Sequence, residues 1–136
     1  MDLGSPRFQA WFQIVLGIGL VFASTGSLDL AQIRDVATPT PILLAAGALF
    51  VIGFGVKSAL VPLHTWLPDA HSQAPSGISA MLSGVVIEAG LIAMLRAVGS
   101  LSPSGYSWAV LLVGFGALNM LVGNLMALRQ RQIKRL

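Results

Sequence analysis

Gly53-Phe-Gly-Val-Lys57-Ser-Ala-Leu-Val-Pro62-Leu-His64-Thr-Trp66-Leu-Pro68-Asp69-Ala-His71-Ser-Gln-Ala-Pro75-Ser76 decides how this chain is read. It opens inside an apolar run and places one lysine there. Pro62, Pro68 and Pro75 follow, and each removes a backbone donor and discourages a continuous helix. Leu63, Trp66 and Leu67 still keep a short helical period. Residues 61–75 are therefore predicted to be a broken helix or a short interfacial one. Irregular backbone at membrane depth has to be buried in protein or line a wet cavity.

The flanks supply the membrane. Residues 8–28 carry no charge, and as a helix they reach about 31 Å, enough for a hydrocarbon core of roughly 30 Å. Trp11 and Phe12 near the start of that run suit an aromatic belt at headgroup level. Residues 36–56 are also uncharged, and Pro39 and Pro41 fit a helix start. Helices are predicted over residues 9–25, 40–60, 76–96 and 106–128. The charges between the first two, Asp29, Arg34 and Asp35, read as a loop. The fold class is all-α: a polytopic membrane protein with about four transmembrane helices and a broken helix, forming a single partial membrane domain over residues 1–136.

Composition agrees. Hydrophobic types make up 55% of the 136 residues, charged types 10%, and mean hydropathy is +0.82. A soluble domain is about 25% charged. The formal net charge of +3 is too small to imply nucleic acid. There is no cysteine, so thiolate metal sites and cysteine-ligated iron–sulfur clusters are excluded from this chain. Residues 1–8 do not read as a secretory signal. Arg129, Arg131, Lys134 and Arg135 crowd the C-terminal end, and the positive-inside bias puts that end on the cytoplasmic side. Arg96 falls on the other side and runs against the bias.

Two ionisable residues lie inside predicted spans. Lys57 near the end of the second helix reads in two ways. Its long stem can snorkel to the interface, or the amine can be held inside. Burial favours the neutral amine and a nearby carboxylate favours the ammonium, so such a lysine can take and release a proton. Glu88 is too short to snorkel from mid-span. It is expected to face a polar interior, either on an ion path with Lys57 or in a static interhelical pair that only fixes packing. His64 and His71, with Asp69 between them, are candidates to carry protons between water and the lysine. The alternative for Asp69 is a cap on the following turn. Two histidines and a carboxylate at this spacing match no short zinc motif, so no metal is assigned. Trp66 reads as an interface anchor. Gly19 with Ala23 and Gly123 with Ala127 read as helix-contact pairs, and Asn119 and Asn124 as interhelical glue. Gly53-Phe54-Gly55 lacks the rest of a nucleotide fingerprint.

The stretch over residues 53–76 strongly resembles the antiporter-like membrane subunits of respiratory complex I. That family also includes subunits of multisubunit sodium/proton antiporters and of membrane-bound hydrogenases. Ile78-Ser-Ala-Met-Leu-Ser-Gly84 and the basic run over residues 128–136 fit the same pattern, and residues 23–30 match more loosely. The resemblance implies that Lys57 is the family's central lysine in a broken helix. It also implies that His64, Asp69 and His71 belong to the loop that follows, and that Glu88 stands where many members carry a second lysine. That last departure reverses a local charge.

The family unit is a much larger bundle of two inverted repeats. The resemblance therefore implies partner membrane subunits, with neighbouring chains supplying the missing helices, including the one whose glutamate pairs with the central lysine. The implied function is proton translocation in the membrane arm of an NADH-quinone oxidoreductase-like complex. The alternatives are a structural segment of that assembly, or part of a sodium/proton antiporter or hydrogenase. No cofactor is expected in this chain. Flavin, iron–sulfur clusters and quinone would belong to partner subunits.

Overall fold

The computed structural model describes residues 3–101 and 107–131. Its elements are α1 (Pro6–Thr25), α2 (Leu30–Val36), α3 (Pro41–Lys57), α4 (Trp66–Gln73), α5 (Ser76–Met81), a π-helical turn (Leu82–Val86), α6 (Ile87–Ser100) and α7 (Trp108–Arg129). Among the described residues there is no strand. The chain is an all-α membrane fold.

Local chemistry sets the boundaries. α1 begins at Pro6 because the Ser5 hydroxyl accepts the Phe8 N–H at 3.3 Å and Pro6 needs no donor there. It ends on Gly26, whose φ of 72° is the left-handed cap glycine adopts freely. The expected loop at residues 29–35 is instead the short helix α2. The Asp29 carboxylate accepts the Ala31 N–H at 3.0 Å and starts it, and Ile33 is buried beneath it. α3 starts behind a Thr40 cap and stops at Lys57, three residues short of the expected end. The third span runs unbroken over Ser76–Ser100, beyond Arg96, with α5, the π turn and α6 in series. Residue 106, the expected start of the fourth helix, lies outside the described residues, and α7 runs from Trp108 to Arg129.

Three of these helices are long and apolar enough to cross a membrane: Arg7–Thr25, Ser76–Ser100 and Trp108–Arg129. α3 has 17 residues and reaches about 25 Å, short of the hydrocarbon thickness. α1 and α6 pack on α3. The core joins Val21, Phe50, Met94, Val98, Leu101 and Trp108 around α3. α7 turns Val110, Val113, Met120 and Leu128 outward, toward lipid or other membrane helices.

Close approach depends on glycine. A Cβ at Gly53 would lie 2.7 Å from Ile14 Cγ1 and 3.0 Å from the Ala10 carbonyl, and one at Gly47 would enter the Trp108 ring. Without a strong hydrophobic drive between helices in lipid, such small-residue contacts carry the packing. The expected contacts at Gly19 and Gly123 are not made among the described residues, where a Cβ at either meets nothing within 4 Å. Both glycines fall on faces that α1 and α7 leave uncovered.

Gly53→Val should weaken the α1–α3 contact by roughly 1–3 kcal/mol, while Gly19→Val, with the same change in helix propensity, should shift stability by less than about 0.5 kcal/mol. Denaturant titration of the detergent-solubilised chain measures the difference, and equal effects would contradict the packing described.

Candidate functional site

The site begins where α3 ends. Lys57 is the last helical residue, and Ser58, Ala59 and Leu60 wrap the chain back on the helix. The Leu60 N–H donates to the Gly55 carbonyl at 2.8 Å and the Ala59 N–H to the Val56 carbonyl at 3.3 Å, a Schellman closure. Ala59 holds the left-handed position with φ 54°, where a residue with a Cβ costs about 1–2 kcal/mol more than glycine. The Ser58 hydroxyl and N–H both donate to the Phe54 carbonyl at 2.8 Å. The Trp66 indole N–H donates to the Val56 carbonyl at 2.8 Å. The Val61 N–H donates to Asn119 Oδ1 at 2.8 Å, reaching across to α7. The sequence reading made Trp66 an interface anchor and Asn119 general glue. Both instead satisfy backbone groups released by the break.

The break lies at membrane depth. A Cβ on Gly90 would lie 3.4 Å from Lys57 Cγ and from the Ser58 nitrogen, so Gly90 marks the height of Lys57 on the neighbouring span. Gly90 stands about 21 Å along the helix from Ser76 and about 15 Å from Ser100. Lys57 is half-buried, and its ammonium sits 4.9 Å from the Trp11 ring centroid. A cation over an indole face gains about 0.5–2 kcal/mol, more when desolvated. Trp11, read from sequence as a headgroup-level ring, is thus part of the lysine's immediate surroundings. Lys57 lines a cavity of about 450 Å³ with Arg7, Trp11, Trp66, Leu82 and Val86. Among the described residues, two cations line that space and no carboxylate does.

The other expected residues are not in that cavity. Glu88 is exposed, and among the described residues it forms no ion pair with Lys57. Helical geometry gives the reason: Glu88 is two residues before Gly90, about 200° around the helix. The Gly90 face meets Lys57 and the Glu88 face points away. Glu88 is the second residue after the π turn, which is closed by the Ile87 N–H to the Leu82 carbonyl. Such turns interrupt a regular span and are frequent at functional sites.

His64 is half-buried, with Nε2 3.3 Å from Met126 Sδ and Nδ1 buried without a hydrogen-bond partner among the described residues. His71 Nδ1 is hydrogen-bonded to the Ser79 hydroxyl. Asp69 is exposed in the first turn of α4, inside the helix rather than capping it, since Thr65 holds the cap position. Its charge complements the helix dipole there. The three residues spread along the segment after the break, toward α7 and α5. Arg7 and Ser79 were not singled out by sequence. Arg7 is 50 positions from Lys57, and no local pattern links them.

Residues 6–136 match the family model described as NADH:quinone oxidoreductase/Mrp antiporter, transmembrane. The chain is 41% identical over 126 residues to NAD(P)H-quinone oxidoreductase chain 4 1 of Synechococcus sp. (strain JA-3-3Ab), covering 91% of this chain and 24% of that relative. It is 38% identical over 126 residues to Hydrogenase-4 component B of Escherichia coli (strain K12), covering 90% of this chain and 19% of the relative. It is 37% identical over 133 residues to NADH-quinone oxidoreductase subunit N 1 of Solidesulfovibrio magneticus, covering 96% and 28%. The chain thus spans between 19% and 28% of the length of these relatives.

Asn119→Ala should strand the Val61 N–H and cost about 1–3 kcal/mol, whereas Asn124→Ala, at an exposed position, should stay within about 0.5 kcal/mol. The same detergent denaturation reports both. Matching losses would remove Asn119 from the support of the break.

Proposed function

This chain belongs to the NADH:quinone oxidoreductase/Mrp antiporter transmembrane family, and from that membership we propose that it is a proton-translocating membrane-arm segment of an NADH-quinone oxidoreductase-like complex. The observation that carries the reading is Lys57. It is half-buried at a helix break near the middle of the neighbouring span, beside a cavity and held over Trp11. Lysine can give up its proton when its surroundings change, which arginine does not do. A charge moving toward or away from the cavity alters how firmly the amine keeps that proton.

The cavity's excess of positive charge fits an acidic side chain from a helix of a neighbouring subunit. His64, His71 and Asp69 would connect the break to water through the segment after it, and Glu88 would serve the opposite face of α6. Electron transfer, with any flavin, iron–sulfur cluster or quinone, is assigned to partner subunits. The basic C-terminal end is assigned to the cytoplasmic side. A sodium/proton antiporter or a hydrogenase assembly is the alternative home for the same segment, since one relative is named as a hydrogenase component.

One observation favours a second reading for part of the site. Glu88 does not meet Lys57 within the chain, which suits a packing role in the assembly. Glu88→Gln separates the two. On the ion-path reading, pumping falls in an assembled complex, and on the packing reading it does not.

Lys57→Ala, introduced into the intact complex, should lower proton translocation in membrane vesicles by an order of magnitude or more, with assembly retained. Unchanged pumping would overturn the assignment. Dependence of that transport on sodium would move the chain to the antiporter alternative.

A further inference from the structure

Arg34 and Arg96 take no part in the site around Lys57. Arg34 is in the last turn of α2, and Arg96 is four residues before the end of the Ser76–Ser100 span. That places Arg96 about 6 Å along the helix from its end. The connection holding α2 joins α1 to α3 at this same end. Both arginines are exposed, and both line one cavity of about 550 Å³, together with Asp35, Leu30, Ile92 and Leu95. Among the described residues neither guanidinium forms an ion pair, and Asp35 shares the space without bridging to either. Ile92, one turn deeper, and Leu95, next to Arg96 in the chain, are 55% and 47% exposed.

Charge therefore sits at the membrane boundary above an uncovered apolar wall. We infer that this cavity is a phospholipid headgroup site, with the phosphodiester held by Arg34 and Arg96 and an acyl chain lying along Ile92 and Leu95. Guanidinium groups bind phosphate oxygens in a planar, two-bonded fashion, with more specificity than a point charge gives. The position of Arg96 against the positive-inside bias acquires a reason, because its charge is used locally. Asp35 adds selectivity. Its carboxylate attracts an ammonium, so phosphatidylethanolamine, which carries one, fits better than phosphatidylglycerol, whose headgroup ends in neutral hydroxyls.

Native mass spectrometry of the purified complex, with added phosphatidylethanolamine, phosphatidylglycerol or inorganic phosphate, tests this. Wild type should retain phosphatidylethanolamine through a detergent wash, and Arg34→Gln with Arg96→Gln should lower that retention several-fold. Replacing both arginines with lysine keeps the charge and the fold-bearing stems, and it should give an intermediate loss. Asp35→Asn should raise phosphatidylglycerol relative to phosphatidylethanolamine. Equal lipid retention in wild type and both double variants would overturn the site. Displacement of the lipid by inorganic phosphate at equal concentration would show a soluble-anion site and overturn the lipid assignment. Lys57→Ala should leave lipid retention unchanged, so loss of the ion-path reading and loss of this one are separable.

Discussion

Every peptide group freed by a helix break inside a bilayer has to find a partner, because hydrocarbon offers none. That constraint organises the centre of this protein. α3 stops at Lys57, and the released groups are taken up by the Schellman closure, by Ser58, by the Trp66 indole and by Asn119 of α7. Several of these partners come from elsewhere in the chain, so the break is stable only when α4 and α7 are docked. The polarity that would otherwise expel water-seeking backbone is thereby converted into a fixed platform for one amine. Ala59, in a backbone conformation glycine adopts more easily, shows that the closure is held by its surroundings and not by local preference.

The second constraint is angular. Gly90 lets α6 approach the Lys57 stem and the backbone at Ser58. Whatever stands two residues earlier must then face the other way. Glu88 stands there, so the two ionisable residues occupy different environments and do not neutralise each other. A carboxylate near the middle of a span is costly against lipid and tolerable against a polar neighbour. The outer face of α6 is thus where the chain's remaining polar demand lies. On the reading proposed above, a neighbouring subunit meets it.

Much of this was legible in the sequence, for physical reasons. Uncharged runs of membrane length identify spanning helices because charge is so expensive in hydrocarbon. Three prolines after Lys57 mark the break because each deletes a donor. What the sequence hid was contact between distant positions. The Trp11–Lys57 stacking joins residues 46 positions apart, and the Val61–Asn119 bond joins residues 58 apart. The side on which Glu88 points depends on α6 packing through Gly90, and glycine gives little hydrophobic signal of its own. The α2 helix was missed because a short charged segment reads as loop until Asp29 is seen as its cap. Small-residue pairs pointed to contacts at Gly19 and Gly123, but the spacing alone does not say which face of a helix has a neighbour.

The partner chosen for Lys57 bears on what the lysine can do. A carboxylate salt bridge at this depth would fix the ammonium strongly, and breaking it would leave a buried unpaired charge. Trp11 holds the cation through its ring face instead, at 4.9 Å. Such a contact is worth about 0.5–2 kcal/mol. That is enough to keep the amine in the cavity and small enough for an approaching charge to override. Arg7 lines the same space, so two positive side chains share it. Among the described residues, what holds Lys57 beside this cavity is therefore a ring face and not a carboxylate.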